Sequence, residues 1–143
     1  MHPTAQENLK IIAERYNIDT IYVFGSRTKE IAKGIRGEIK ETVQPESDVD
    51  IGVQTAFGFR LSAREKVRLT ADLEDLFRVQ RVDLAVIPEV GPFLALDIIR
   101  GEILYCKNLD DQAENELLIL RRAGDLAYYE RMRRKQVFLG NNI

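Results

Sequence analysis

Ser47-Asp48-Val49-Asp50-Ile51-Gly52-Val53 alternates acidic and apolar residues. A period of two belongs to a β-strand, and strand residues two apart leave the same face. Asp48 and Asp50 thus place two negative charges side by side, where they repel unless something positive lies between them. Arg81-Val82-Asp83-Leu84-Ala85-Val86-Ile87 repeats the pattern with a third acid. Three such carboxylates on neighbouring strands would form a small oxygen cage, the donor set that hard divalent cations such as Mg²⁺ prefer. A lone D-x-D in a charged chain is also compatible with a merely solvated strand face.

The upstream segment separates these readings. Thr20-Ile21-Tyr22-Val23-Phe24-Gly25-Ser26-Arg27 reads as a buried apolar strand entering a Gly-Ser turn, with a helix-like stretch after it. Glycine lets a backbone approach a ligand closely, and the N–H groups at a helix start attract phosphate. A phosphate cradle followed by paired carboxylates is the equipment for nucleotidyl transfer.

In Gly25-Ser26-Arg27, Ser47-Asp48-Val49-Asp50-Ile51, Val82-Asp83-Leu84 and the stretch Phe93 to Tyr105, the chain resembles the DNA polymerase β-like nucleotidyltransferases. More narrowly, it is similar to the minimal, single-domain nucleotidyltransferases (MNT) of prokaryotes, many of them antitoxins paired with a HEPN-domain toxin. The resemblance covers most of residues 5 to 135. It implies an α/β (α+β) fold: a small mixed sheet flanked by helices, with a C-terminal helix. It implies transfer of AMP from ATP to a hydroxyl, releasing pyrophosphate. Asp48, Asp50 and Asp83 would be the catalytic residues and would hold a pair of Mg²⁺ ions. Gly25, Ser26, Arg27 and Ser47 would bind the nucleotide. The implied acceptor is a hydroxyl, typically of tyrosine, on a partner HEPN toxin, so a hetero-oligomer is expected, with nucleic acid contacted only through the partner. Two features depart from the family pattern: Glu30 stands where a further glycine is common, and the Gly-Ser and D-x-D lie unusually far apart.

Composition agrees with one soluble domain. Of 143 residues, 45% are apolar and 31% charged, and the net charge of −2 does not argue for a nucleic-acid partner. Cys106 is the single cysteine, so an internal disulfide is impossible; the single histidine, His2, leaves no basis for His-based catalysis. No run is long enough to span a membrane and no signal peptide is evident, so a cytoplasmic protein is expected.

Along the chain, Thr4 and Glu7 fit a capping box opening a helix to about Tyr16, with Leu9, Ile12, Ala13 and Tyr16 as its apolar stripe. Residues 28–46 read as an inserted loop or hairpin: Lys29 to Ala32 could continue a helix from Ser26, Gly34 and Gly37 interrupt it, and Lys33 to Lys40 fit a small hairpin or ordered loop at the mouth of the site. If this segment is ordered, Lys29, Lys33, Arg36 or Lys40 could touch the nucleotide phosphates, and the sequence singles out none of them. Phe57 and Phe59 occupy a loop where packing onto the core is the ordinary outcome and stacking on a base the alternative. Ser62 and Glu65 cap a second helix to Phe77, with Val67, Leu69, Leu73, Leu76 and Phe77 inward. Arg60, Arg64 and Arg68 form a solvated stripe or a basic rim. Pro92 starts a third helix, with Leu94, Ile98 and Ile99 inward and Gly101 as its stop. Ile103 to Tyr105 reads as a short edge strand. The nucleotidyltransferase domain then spans residues 1–109, and 110–143 form a C-terminal helix and tail with a basic end, a docking element for a partner.

Two alternatives remain open. One is an antitoxin-like binding module that neutralises its partner by contact, with an idle site. The other is an aminoglycoside-type transferase acting on a small molecule, for which no substrate domain is evident.

Overall fold

The computed structural model describes residues 4–26, 28–36 and 48–140. Its strands are Ile18–Phe24 (β1), Val49–Thr55 (β2), Val82–Val86 (β3) and Glu102–Cys106 (β4). Its helices are Ala5–Arg15 (α1), Thr28–Arg36 (α2), Ala63–Phe77 (α3), Pro92–Ile99 (α4) and Leu109–Gly140 (α5), with a 3₁₀ turn at Ile87–Glu89. The strands form one mixed sheet in the order β3-β2-β1-β4. β1 pairs antiparallel with β2 and β4, whereas β2 and β3 run parallel. The parallel pair needs a crossover, which α3 supplies. This is the small mixed sheet flanked by helices that the sequence implies, with β4 at the expected edge.

Strand alternation gives the sheet two different faces. Ile21, Val23, Ile51 and Val53 are completely buried with Leu9, Leu69 and Leu73, residues of α1 and α3. The opposite face buries Tyr22 with Ala95 and Ile98 of α4 and Ile119 of α5. A Cβ on Gly52 would lie 2.3 Å from Ile98 Cγ2, so the bare backbone at this position is what lets α4 approach β2. Both capping boxes form, Thr4 with Glu7 and Ser62 with Glu65. A side-chain link ties the end of α1 to α3: the Tyr16 hydroxyl donates to Asp72 Oδ2 at 2.6 Å, and Arg15 donates to the same oxygen at 3.0 Å.

The helix expected over Lys29 to Ala32 forms and runs further, from Thr28 to Arg36 straight through Gly34, so the loop-or-hairpin reading is corrected over residues 33–36. Glycine in a helix costs about 1 kcal/mol relative to alanine. Ile31, Ala32 and Ile35 are buried on one side of α2, and burying one isoleucine contributes about 1.5–3 kcal/mol. Tertiary burial therefore outweighs the helix breaker. Residues 37–47, including Gly37 and Lys40, lie outside the described residues.

Other inward assignments also change. Val67 and Leu94 are exposed, because α3 and α4 each bury a narrower stripe: Leu69, Leu73 and Phe77 on α3, Ala95 and Ile98 on α4. Phe57 and Phe59 stay on the surface instead of packing inward. α4 ends at Ile99 with Arg100 as its C-cap, so the helix stops before Gly101 as expected, and Gly101 packs against β1. Among the described residues of α5, Ile119 and Ala123 are buried, and Leu117 and Leu120 face outward.

Candidate active site

The acids meet where β1 ends and β2 and β3 begin. Asp50 is in register with Asp83 on one side and with Phe24 on the other. Neighbouring strands lie about 4.8 Å apart, so the two carboxylates leave the same face as close neighbours. That face is the one carrying Gly52 and Tyr22, under α4. Asp48 precedes β2 by one residue and is exposed. Burial, and then the charges of Asp83 and Asp48, push the Asp50 carboxyl above its usual range. Asp83 is partly neutralised by Arg81, whose Nε lies 3.0 Å from Asp83 Oδ1.

Gly25 completes the inner wall. It turns the chain with φ +83°, a conformation that suits glycine, and a Cβ there would lie 2.6 Å from Asp50 Oδ2. The Thr28 hydroxyl donates to the Gly25 carbonyl at 2.8 Å, tying the turn to the first residue of α2. Ser26 is exposed between them. Arg27 and Ser47 lie outside the described residues. Lys33 is exposed on α2.

An open cleft of about 730 Å³ is lined on one side by Gly25, Ser26 and Thr28 of the β1–α2 connection and by Asp50 of β2, and Asp48 and Asp83 are not among its lining residues. Its other wall comes from the α4–β4 turn and supplies Asp97, Arg100 and Glu102. Sequence reasoning missed Thr28 and these three. Asp97 and Arg100 read locally as the polar face of a short helix, and only the packing of Gly101 on β1 brings them to the cleft. Thr28 carried a faint signal, a hydroxyl residue opening the helix after the Gly-Ser turn. A second depression of about 450 Å³ lies at the far end of β2, between Phe57, Phe59, Pro88, Leu118 and Arg122. Its lining is mainly apolar and includes none of the three site acids.

Among the described residues, no three acidic, histidine or cysteine groups close around a point as ion ligands. The donor chemistry nevertheless fits a hard cation. Oxygen ligands share one face, and Asp50, raised first by burial and then by the charges of Asp83 and Asp48, is a carboxyl whose charged form a positive ion would favour.

A family model described as polymerase beta, nucleotidyltransferase matches residues 7–110. The chain belongs to the polymerase beta nucleotidyltransferase family. The matched span contains the Gly25 turn, Asp48, Asp50, Asp83 and the α4–β4 wall of the cleft. This nucleotidyltransferase also resembles solved structures of toxin–antitoxin complexes. A mutant of the toxin–antitoxin pair MntA–HpeT, with two Asp-to-Glu changes two positions apart, matches at 16% identity and TM-score 0.61, over 92% of this chain and 94% of the other. A toxin–antitoxin structure with AMP-PNP matches at 18% identity and TM-score 0.60, over 92% and 94%. A tri-AMPylated Shewanella oneidensis HEPN toxin in complex with MNT antitoxin matches at 15% identity and TM-score 0.58, over 93% and 92%. At these identities the likeness is one of fold. Comparison with curated protein sequences finds no match. No helix among the described residues is long and apolar enough to cross a membrane.

Proposed function

We propose that this family member transfers AMP from ATP to a hydroxyl of a partner protein, and that the partner is a HEPN-type toxin which it restrains as an antitoxin. One observation carries the chemistry: Asp50 lies in register with Asp83 while its carboxylate rests against the Gly25 turn. Asp50 thereby lines the same cleft as the glycine turn, with Asp83 next to it on β3. The choice of partner and of AMP draws on the fold likeness to the MNT antitoxin seen with a tri-AMPylated HEPN toxin. A tyrosine acceptor follows the family resemblance.

In this reading the Gly25 backbone, the Ser26 hydroxyl and the N–H groups opening α2 bind the β- and γ-phosphates, with Arg27 and Ser47 beside them. Asp48, Asp50 and Asp83 hold a pair of Mg²⁺ ions. Such ions, when bound, neutralise phosphate charge and acidify an attacking hydroxyl. Asp83, half-exposed beside Asp50, takes the hydroxyl proton as the new oxygen–phosphorus bond forms and pyrophosphate leaves. Phosphoryl chemistry of this type needs positioning and charge neutralisation more than a histidine base. Residues 110–143 serve as the docking element.

Incubation with labelled ATP and Mg²⁺, with and without a co-expressed HEPN-domain protein, tests this. The expected result is label on the HEPN chain, lost in Asp50→Asn. Unlabelled chains in every condition would refute it. The outward apolar residues of α5, among them Leu117, Leu120 and Met132, favour a second reading in which contact alone neutralises the partner. Neutralisation that survives Asp50→Asn undiminished would select that one.

A further inference from the structure

The cleft has a wall to which no role is attached. Gly101 packs so tightly on β1 that a Cβ there would lie 2.1 Å from the Val23 carbonyl oxygen and 3.0 Å from Phe24 Cα. This contact pins the α4–β4 turn beside the last residue of β1, immediately before Gly25. Arg100, the residue preceding Gly101, is therefore placed at the cleft by backbone packing and not by its own side chain. It is the one cation among the described lining residues, alongside the carboxylates of Asp50, Asp97 and Glu102. It is exposed and forms no ion pair with any described residue. A guanidinium in this setting retains its planar set of five donors, which matches phosphate oxygens two at a time.

We propose that Arg100 is a substrate-binding residue that takes the terminal phosphates of the nucleoside triphosphate from the α4–β4 wall. The inference rests on the nucleotidyl-transfer reading and adds a residue to it from an element that supplies none of the acids or phosphate-turn residues. The Gly25 turn and the start of α2 meet the triphosphate from one side, and Arg100 meets it from the other. A cation at the C-terminal end of α4 is also favoured by the helix dipole alone. The test must therefore read ligand chemistry and not stability.

Binding of ATP and of AMP, each with Mg²⁺, is measured by calorimetry on the full chain and on Arg100→Gln and Arg100→Lys. Arg100→Gln should weaken ATP by about tenfold, the order of one charge-assisted contact, and AMP by less than about twofold. Arg100→Lys, which keeps the charge and loses the paired geometry, should fall between. Melting temperatures should match the wild type, since the side chain is exposed. Unchanged ATP affinity in Arg100→Gln, beside normal wild-type binding, overturns the role of Arg100 and leaves the transfer reading standing. Equal losses for ATP and AMP place Arg100 away from the terminal phosphates and overturn it too. A wild type that binds neither nucleotide refutes the transfer reading, and Arg100's role with it.

Discussion

Replacing Gly25 by alanine perturbs the point where the turn and the acid pair meet. Two costs arise. The first is conformational: a side chain at φ +83° is disfavoured by about 1–2 kcal/mol. The second is steric, since the new Cβ would lie 2.6 Å from Asp50 Oδ2. That oxygen ends a side chain able to rotate, so the carboxylate moves and the backbone stays. The stability loss is then the conformational part alone, a fall in melting temperature of roughly 3–8 °C for a domain of this size. The functional loss is larger, because Asp50 leaves its place beside Asp83. Displacing a reacting group by about 1 Å costs on the order of 10²-fold in rate. Circular dichroism melts and AMP-transfer rates, the latter taken well below both midpoints, separate the two effects. Transfer within about threefold of wild type, beside the expected melting shift, would refute the argument that the turn positions Asp50. A much larger melting shift would show that the backbone absorbs the clash.

Three further outcomes follow from particular contacts. Burial and the neighbouring Asp83 and Asp48 raise the Asp50 carboxyl in the fold, so the folded protein holds that proton more tightly than the unfolded chain. The associated stability is present below the unfolded value, about 3.9, and is lost as pH rises through the folded one. Asp50→Asn should accordingly melt above wild type at neutral pH, with the advantage vanishing toward about pH 3; an equal offset at both pH values would contradict this. Gly52→Ala drives a Cβ into Ile98 and should cost about 1–3 kcal/mol by urea unfolding. Combined with Ile98→Ala, its cost should drop well below the sum of the single changes, whereas strict additivity would show that α4 does not rest on Gly52. Tyr16→Phe removes the 2.6 Å bond to Asp72 between α1 and α3 and should cost about 1–2 kcal/mol, with no change in ATP affinity.

The legible parts of the sequence were those written in local periodicity. The alternation around Asp50 and Asp83 set both strands and put their acids on one face. The capping boxes at Thr4 and Ser62 set where α1 and α3 begin, because a side chain satisfying a helix's first N–H groups acts within four residues. Errors fell where a local preference met a distant partner. Gly34 should break a helix, yet Ile31 and Ile35 are buried and the helix continues through it. Val67 and Leu94 sit at apolar positions that no neighbour covers.

Local chemistry, then, determined which residues stand as candidates for the site: a glycine turn after one strand and acids two apart on the next. The sheet order decided which of them meet, since the β1–β2 and β2–β3 registers place Phe24, Asp50 and Asp83 in one row. The far wall of the cleft was decided by tertiary structure alone. Arg100 and Asp97 lie some fifty residues beyond the D-x-D, and no periodicity of a single helix encodes what it faces. Their place follows from two close backbone approaches, α4 over Gly52 and Gly101 on β1, and such contacts exist only once the sheet and α4 have come together.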